Sequence, residues 1–212
     1  MPLRRLFEGF FDPGGEDALV AAVREVESAS SAEIVVAVRR TSGSYRDASL
    51  VVALAFGLAA LAVELFSPWP FSLEWMLVDP LLLGLAAGAL SIHVPALRRW
   101  VTSPAERARR VSVHARSLFL ERGVGATSGR TGVLVYVSLL ERTARIVADA
   151  GVTSVVPPPA WSEGTTRIEH AARRMKATEV ARAIAALVPP LAEHLPRSAD
   201  DRNELPDGVL GP

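Results

Sequence analysis

The apolar residues of this chain are segregated. From Ala48 to Phe66 it reads ASLVVALAFGLAALAVELF, with Glu64 the sole ionisable residue, and from Trp75 to Leu97 it reads WMLVDPLLLGLAAGALSIHVPAL. At 1.5 Å rise per residue, a run of about 19 residues comes close to the ~30 Å hydrocarbon core of a bilayer. The connection Ser67–Glu74 is short, with two prolines and two aromatics, so the pattern predicts an antiparallel transmembrane helical hairpin, 48–66 and 75–97. Elsewhere the periodicities are those of a globular domain. Leu19, Val20, Val23 and Val26 recur at helical spacing within Gly15–Ser28, and Glu33–Arg39 (EIVVAVR) has the β-branched composition of a buried strand. Ser103-Pro104-Ala105-Glu106 is a capping box with proline at the first helical position, opening a helix to about Arg122 whose inner stripe includes Val111, His114, Ala115, Leu118 and Phe119. Thr131–Ser138 and Thr143–Ala148 predict two strands joined as a hairpin through Leu139–Arg142. Helices follow over Trp161–Lys176 and Thr178–Leu195, the second kinked at Pro189 and Pro190, and the tail from Pro196 is expected to be loosely held.

These elements predict an α/β fold: a mixed-sheet α/β/α sandwich interrupted by a two-helix transmembrane hairpin. The expected division is 1–47 as the first part of the globular domain, 48–97 as the hairpin, 98–196 as the remainder, and 197–212 as a polar tail. Leu3, Leu6, Phe7, Phe10 and Phe11 fall on one helical face, which suits either a helix in the membrane interface or a segment docked on the globular domain.

Charge sets orientation and excludes partners. The 23 basic and 23 acidic side chains balance, which argues against nucleic acid as a partner, because phosphate binding needs a basic excess. Cysteine is absent, so disulfides, thiolate metal sites and a cysteine nucleophile are excluded. Arg39, Arg40 and Arg46 precede the hairpin and Arg98 and Arg99 follow it, whereas Ser67–Glu74 has no lysine or arginine, so both termini and the globular domain are expected in the cytoplasm. The bilayer is thus the first expected partner. Gly84 and Gly88, with Ala53, Gly57 and Ala60, suit close packing within the hairpin or between two copies of the chain in a homodimer. Arg98, Arg99, Arg107, Arg109 and Arg110 form a basic stretch that suits anionic headgroups or a solvated helix face.

Ser31-Ala32-Glu33-Ile34-Val35-Val36 after an amphipathic helix, and Thr131-Gly132-Val133-Leu134-Val135 followed by Arg145-Ile146, resemble the TPM domain family over roughly Glu16–Arg40 and Ala105–Leu195. The hairpin insertion, Glu141-Arg142, Asp149-x-Gly151, Trp161 and Asn203-Glu204-Leu205-Pro206-Asp207 are similar to a bacterial membrane-anchored branch of that family. The resemblance implies a two-pass protein of the bacterial cytoplasmic membrane. It also implies roles found across the wider family: accessory or repair functions, calcium binding, and in one lineage a weak acid phosphatase activity. The phosphatase-like members usually have Gly where Asp149 stands, and an acidic residue where this chain has Val155-Val156-Pro157-Pro158-Pro159.

No nucleophile–base constellation stands out, and the sequence names no catalytic residue. His93, His114, His170 and His194 are not spaced as zinc ligands, and there is no Gly-x-Ser-x-Gly elbow. Gly123–Thr131 (GVGATSGRT) departs from a phosphate loop because it leads from a helix into a strand. Asp149, where a strand meets a Gly turn, is the leading acidic candidate; Asp47 and Glu163 are the residues expected to join it around a hard cation, Ca²⁺ or Mg²⁺, which takes several oxygens. Its competing reading is a turn cap. Trp161, Glu141 and Glu33 are candidates to line a ligand groove, with structural roles as the alternative. The resulting expectation is a non-enzymatic accessory or assembly factor for other membrane proteins, with a weak metal-dependent phosphatase as the rival.

Overall fold

The computed structural model describes residues 3–198, 200, 203–206 and 208–211. It divides into two compact units. One is formed mainly by Gly43–Glu106, the other by Arg4–Ser42 with Arg107–Pro212.

The larger unit is built on a three-stranded sheet, β1 (Glu33–Arg39), β2 (Gly132–Ser138) and β3 (Thr143–Ala148), in the order β1-β2-β3. β1 runs parallel to β2 with Val35 opposite Leu134, and β3 runs antiparallel with Ile146 opposite Val135. The β2–β3 turn over 139–142 closes with Arg142 at a left-handed φ of 53°. Successive side chains on a strand point to opposite faces, and both faces of β1 and β2 are apolar. Ile34, Val36, Val38, Val133, Val135 and Val137 join the core contributed by α2 (Gly15–Ala29), α8 (Pro158–Arg173), α9 (Ala177–Ala185) and α10 (Val188–His194). Val35, Ala37, Leu134 and Tyr136 pack on the opposite face with Val111, Ala115, Leu118 and Phe119 of α6 (Pro104–Glu121). The fold is therefore α/β with a mixed sheet and helical packing on each face. Burying each Val, Leu or Ile side chain is worth about 1.5–3 kcal/mol, which is why the central strand β2 carries no exposed residue.

Of the two readings of the N-terminal apolar face, docking on the globular unit is the one seen, and several other details differ from the sequence expectation. α1 (Leu3–Phe10) docks on this unit: Phe10 is fully buried in the core, Phe7 and Phe11 pack edge to face, and Arg40 lies over the Phe7 ring. The tail is not loosely held throughout. Leu210 pairs beside Ala37, accepting from Val38 N–H and donating to the Val36 carbonyl, so its apolar side chain and backbone cover part of the β1 edge. His114 is exposed on α6, with Nδ1 3.0 Å from the Arg110 carbonyl, because Val111, Ala115 and Leu118 take the inner stripe and leave it on the margin. The expected kink at Pro189–Pro190 is a break: α9 ends at Ala185 and α10 opens with these prolines in its first turn, where a missing N–H costs nothing. α8 likewise begins at Pro158, three residues before Trp161. The remaining short helix, α7 (Ala150–Thr153), follows β3.

The smaller unit contains α3 (Arg46–Phe66), α4 (Leu73–Ser91) and α5 (Pro95–Val101). α3 and α4 are long and apolar enough to cross a membrane. The second apolar run ends at Ser91 rather than Leu97, because Pro95 disfavours the helical region for Val94 (φ −115°, ψ 88°) and starts a new helix. The two helices meet through their small residues. A Cβ on Gly84 would stand 2.7 Å from the Ala53 carbonyl oxygen, and one on Gly57 2.9 Å from that of Pro80. Ser91 Oγ donates to Ser49 Oγ across the same contact. The glycine motif is therefore spent within the hairpin. Outside that seam the large side chains are bare: Leu54, Leu58, Leu65, Leu81 and Leu85 are each more than half exposed.

Candidate functional site

Of the candidate acidic residues, Asp149 and Glu33 lie at one end of the sheet and Glu141 at the other. Asp149 follows the last residue of β3 and caps α7, accepting from the Ala150 N–H at 2.6 Å. Arg130 grips the same carboxylate in bidentate fashion, Nη2 to Oδ1 at 2.8 Å and Nε to Oδ2 at 3.2 Å. The Arg130 hydrogen bonds and then the Ala150 N–H hold the Asp149 carboxyl below the usual carboxylate range, against the opposing effect of burial. The Gly123–Thr131 segment supplies this partner. Arg130 adopts a left-handed φ of 54°, and Thr127 Oγ1 accepts from Thr131 N–H. A Cβ on Gly151 would lie 2.3 Å from the Gly129 carbonyl oxygen, so the loop and the start of α7 are in backbone contact. Ser128 donates from both its N–H and its hydroxyl to Glu204, and Glu33 accepts from Leu205 N–H. This end of the sheet is a set of clasps tying the tail and the loop to the strands.

Glu141 occupies the other end, beyond the carboxyl ends of β1 and β2. It is buried, and its Oε1 accepts from Ser42 N–H at 2.8 Å. Ser138 Oγ donates to Oε2. Ser42 Oγ in turn donates to Ser138 Oγ at 2.8 Å and lies 3.0 Å from the Tyr136 hydroxyl. Burial raises the Tyr136 pKa, with the nearby Glu141 charge adding to it and the Ser42 hydrogen bond opposing. Two segments, the 41–42 loop and the end of β2, thus converge on one buried carboxylate. Sequence reasoning missed this network, since Ser42 and Ser138 are ordinary residues of a loop and a strand end, 96 positions apart.

Glu163 is exposed on α8 and pairs with Arg167 one turn on. Trp161 is half-buried against the core, anchoring the start of α8. Asp47 lies in the first turn of α3, in the other compact unit. Among the described residues no three His, Asp or Glu side chains are grouped so as to hold a metal ion. Asp149 and Glu163 are instead each engaged by an arginine. An open groove of 410 Å³ between α8 and α9 presents His170, Arg174 and Arg182, with Glu179 bridging both arginines. Within the smaller unit, Glu64 of α3 is 9% exposed and its Oε2 has no hydrogen-bond partner, and the same holds for the buried Nε of Arg98.

No protein-family model matches the sequence, and neither does any curated protein. The fold does have a solved relative. The chain is similar to the NMR structure of the BA42 protein from the psychrophilic bacterium Bizionia argentinensis, with a TM-score of 0.58 over 96% of each chain. At 19% identity the likeness is one of fold.

Proposed function

We propose that this chain is a two-pass membrane protein whose TPM-like domain stands at the cytoplasmic face and serves as a non-enzymatic accessory or assembly factor for other membrane proteins. The observation that carries the reading is the bare apolar surface of α3 and α4. Apart from Ala48, Val52 and Glu64 on α3 and Gly84, Gly88 and Ser91 on α4, their residues are at least partly exposed. Two helices of this kind are stable in water only under a cover, and hydrocarbon supplies one. The sheet supports a hairpin over a single span. β1 precedes α3 and β2 follows α4, yet the two strands pair along their whole length, so both ends of the inserted segment emerge on one side. The arginines flanking it favour the cytoplasm for that side.

The accessory role is supported by how the polar groups are used. Asp149 is closed by Arg130 and a helix N-terminus, and Glu141 by the Ser42 N–H and the Ser138 hydroxyl. Both are clasps that hold segments of the fold. The test is a pair of assays on the full-length chain. Isolation after in-cell crosslinking recovers a defined membrane-protein partner, and the detergent-purified chain hydrolyses no generic phosphomonoester with added Ca²⁺ or Mg²⁺. Metal-dependent turnover that disappears in Asp149→Asn would overturn the proposal in favour of a phosphatase.

A further inference from the structure

Two cavities in the smaller unit run into one another. The first, of 620 Å³, lies at the arginine-flanked end of the hairpin and is lined by Ser44, Tyr45, Arg46, Ser49 and Arg98 among others. The second, of 310 Å³, is a slot between α3 and α4 lined by Leu54, Leu58, Leu61 and Leu81. Leu50, Ala53 and Leu85 belong to both. The result is a groove with a basic, hydroxyl-bearing mouth and an apolar floor.

We propose that this groove binds one anionic phospholipid, its phosphate headgroup between Arg46 and Arg98 and one acyl chain in the slot. This rests on the membrane reading given above. Three observations select that occupant. Arg98 Nε is buried without a hydrogen-bond partner, although a guanidinium has five donors suited to phosphate oxygens. Burial also pulls the Arg98 pKa down, with Tyr45 opposing. The slot has the right reach: Leu50 to Leu61 is 12 residues of helix, about 16 Å over 11 steps of 1.5 Å, or roughly half of the ~30 Å core. That is the depth of one leaflet, on the side where the arginines lie. Basic pockets between membrane helices on the cytoplasmic side are suited to acidic headgroups. The small residues Gly57 and Gly84 form the floor and are fixed by the helix contact, so the slot is preformed.

The experiment is native mass spectrometry of the full-length chain released from detergent, titrated with phosphatidylglycerol or phosphatidylcholine, with inorganic phosphate as competitor. Phosphatidylglycerol should bind about tenfold more tightly than phosphatidylcholine, because both phosphates reach Arg98 but the fixed cation of choline offsets the net charge the arginines attract. Arg98→Gln should abolish that preference, Arg98→Lys should keep part of it, and Arg99→Gln should leave it intact. Leu50→Trp, which fills the groove, should weaken both lipids. Inorganic phosphate should not displace the lipid. Equal binding of the two lipids by the parent chain, equal losses in Arg98→Gln and Arg99→Gln, displacement by phosphate, or a second copy of the chain in place of lipid would each overturn the site. Alkaline carbonate extraction of membranes separates the two levels. A chain released by carbonate sinks the membrane reading itself, and a retained chain without lipid preference sinks only this inference.

Discussion

Removing the Glu141 carboxylate should loosen the whole sheet. In Glu141→Ala, the Ser42 N–H and the Ser138 hydroxyl lose their charged acceptor in a buried site. At about 1.5–3 kcal/mol per charge-assisted hydrogen bond, the cost is about 3–6 kcal/mol, a large share of the ~5–15 kcal/mol that holds a domain together. Glu141→Gln keeps one carbonyl oxygen and should cost about 1–2 kcal/mol, since one of the two bonds survives and the Ser138 hydroxyl can rotate. The readout is hydrogen–deuterium exchange of the β2 amides, Gly132–Ser138, in the detergent-solubilised full chain. Each 1.4 kcal/mol is a factor of ten, so Glu141→Ala should accelerate these amides by about a hundredfold or more, and Glu141→Gln by about tenfold. Exchange within about threefold of the parent in both variants would refute the reasoning. The network would then be an incidental cluster rather than what joins the 41–42 loop to the end of the sheet.

Three further outcomes follow from the same contacts. Folded-state carboxyl pKa values depressed below 3.8 at Asp149, by Arg130, and at Asp12, by its Thr178 hydrogen bond, contribute stability that is fully present above the unfolded value and lost as pH falls through the folded values. Asp149→Asn should therefore lower stability at neutral pH by the share the charged Arg130 pair supplies and flatten the loss below about pH 4, since asparagine still caps α7 but brings no charge to Arg130; an unchanged acid limb in thermal melts contradicts the Arg130 clasp. A Ser49→Cys, Ser91→Cys pair should form a disulfide, since the native hydroxyl oxygens are 2.8 Å apart, and Gly84→Leu should prevent it by pushing Ala53 away; efficient crosslinking in the triple variant would contradict the seam. Ending the chain before Asn203 removes the Leu210 carbonyl that accepts from Val38 N–H and should expose the β1 edge, seen as faster Val38 exchange and self-association in size-exclusion chromatography; unchanged Val38 protection contradicts the pairing.

The strands were legible because both faces of β1 and β2 are buried, so each is a near-continuous β-branched run that only a sheet explains. The β2–β3 hairpin followed from four intervening residues. The tail was misread because polar composition dominates 197–212; the signal present, the apolar pair Val209–Leu210, is only two residues long. Glu141 and Asp149 were found as acidic residues at loop positions, yet their roles depend on partners from distant segments, Ser42 in one case and Arg130 in the other. Periodicity carries no record of such partners. The end of α4 was readable in principle, because Pro95 forbids a helix running through Val94, but the apolar run continued past it and masked the break. His114 shows the limit of helical stripes: a residue at the margin of an apolar face can turn to solvent at no cost to the packing of Val111 and Leu118.

The central claim is that α3 and α4 cross a bilayer as a hairpin with the sheet on the cytoplasmic side. The chain has no cysteine, so single cysteines report cleanly. Ser72→Cys, in the loop between α3 and α4, should react with an impermeant thiol reagent added outside intact cells, whereas Ser128→Cys, in the loop before β2, should react only after the membrane is opened. Labelling of Ser128→Cys with protection of Ser72→Cys would reverse the orientation, and equal protection of both in intact cells would contradict a spanning hairpin.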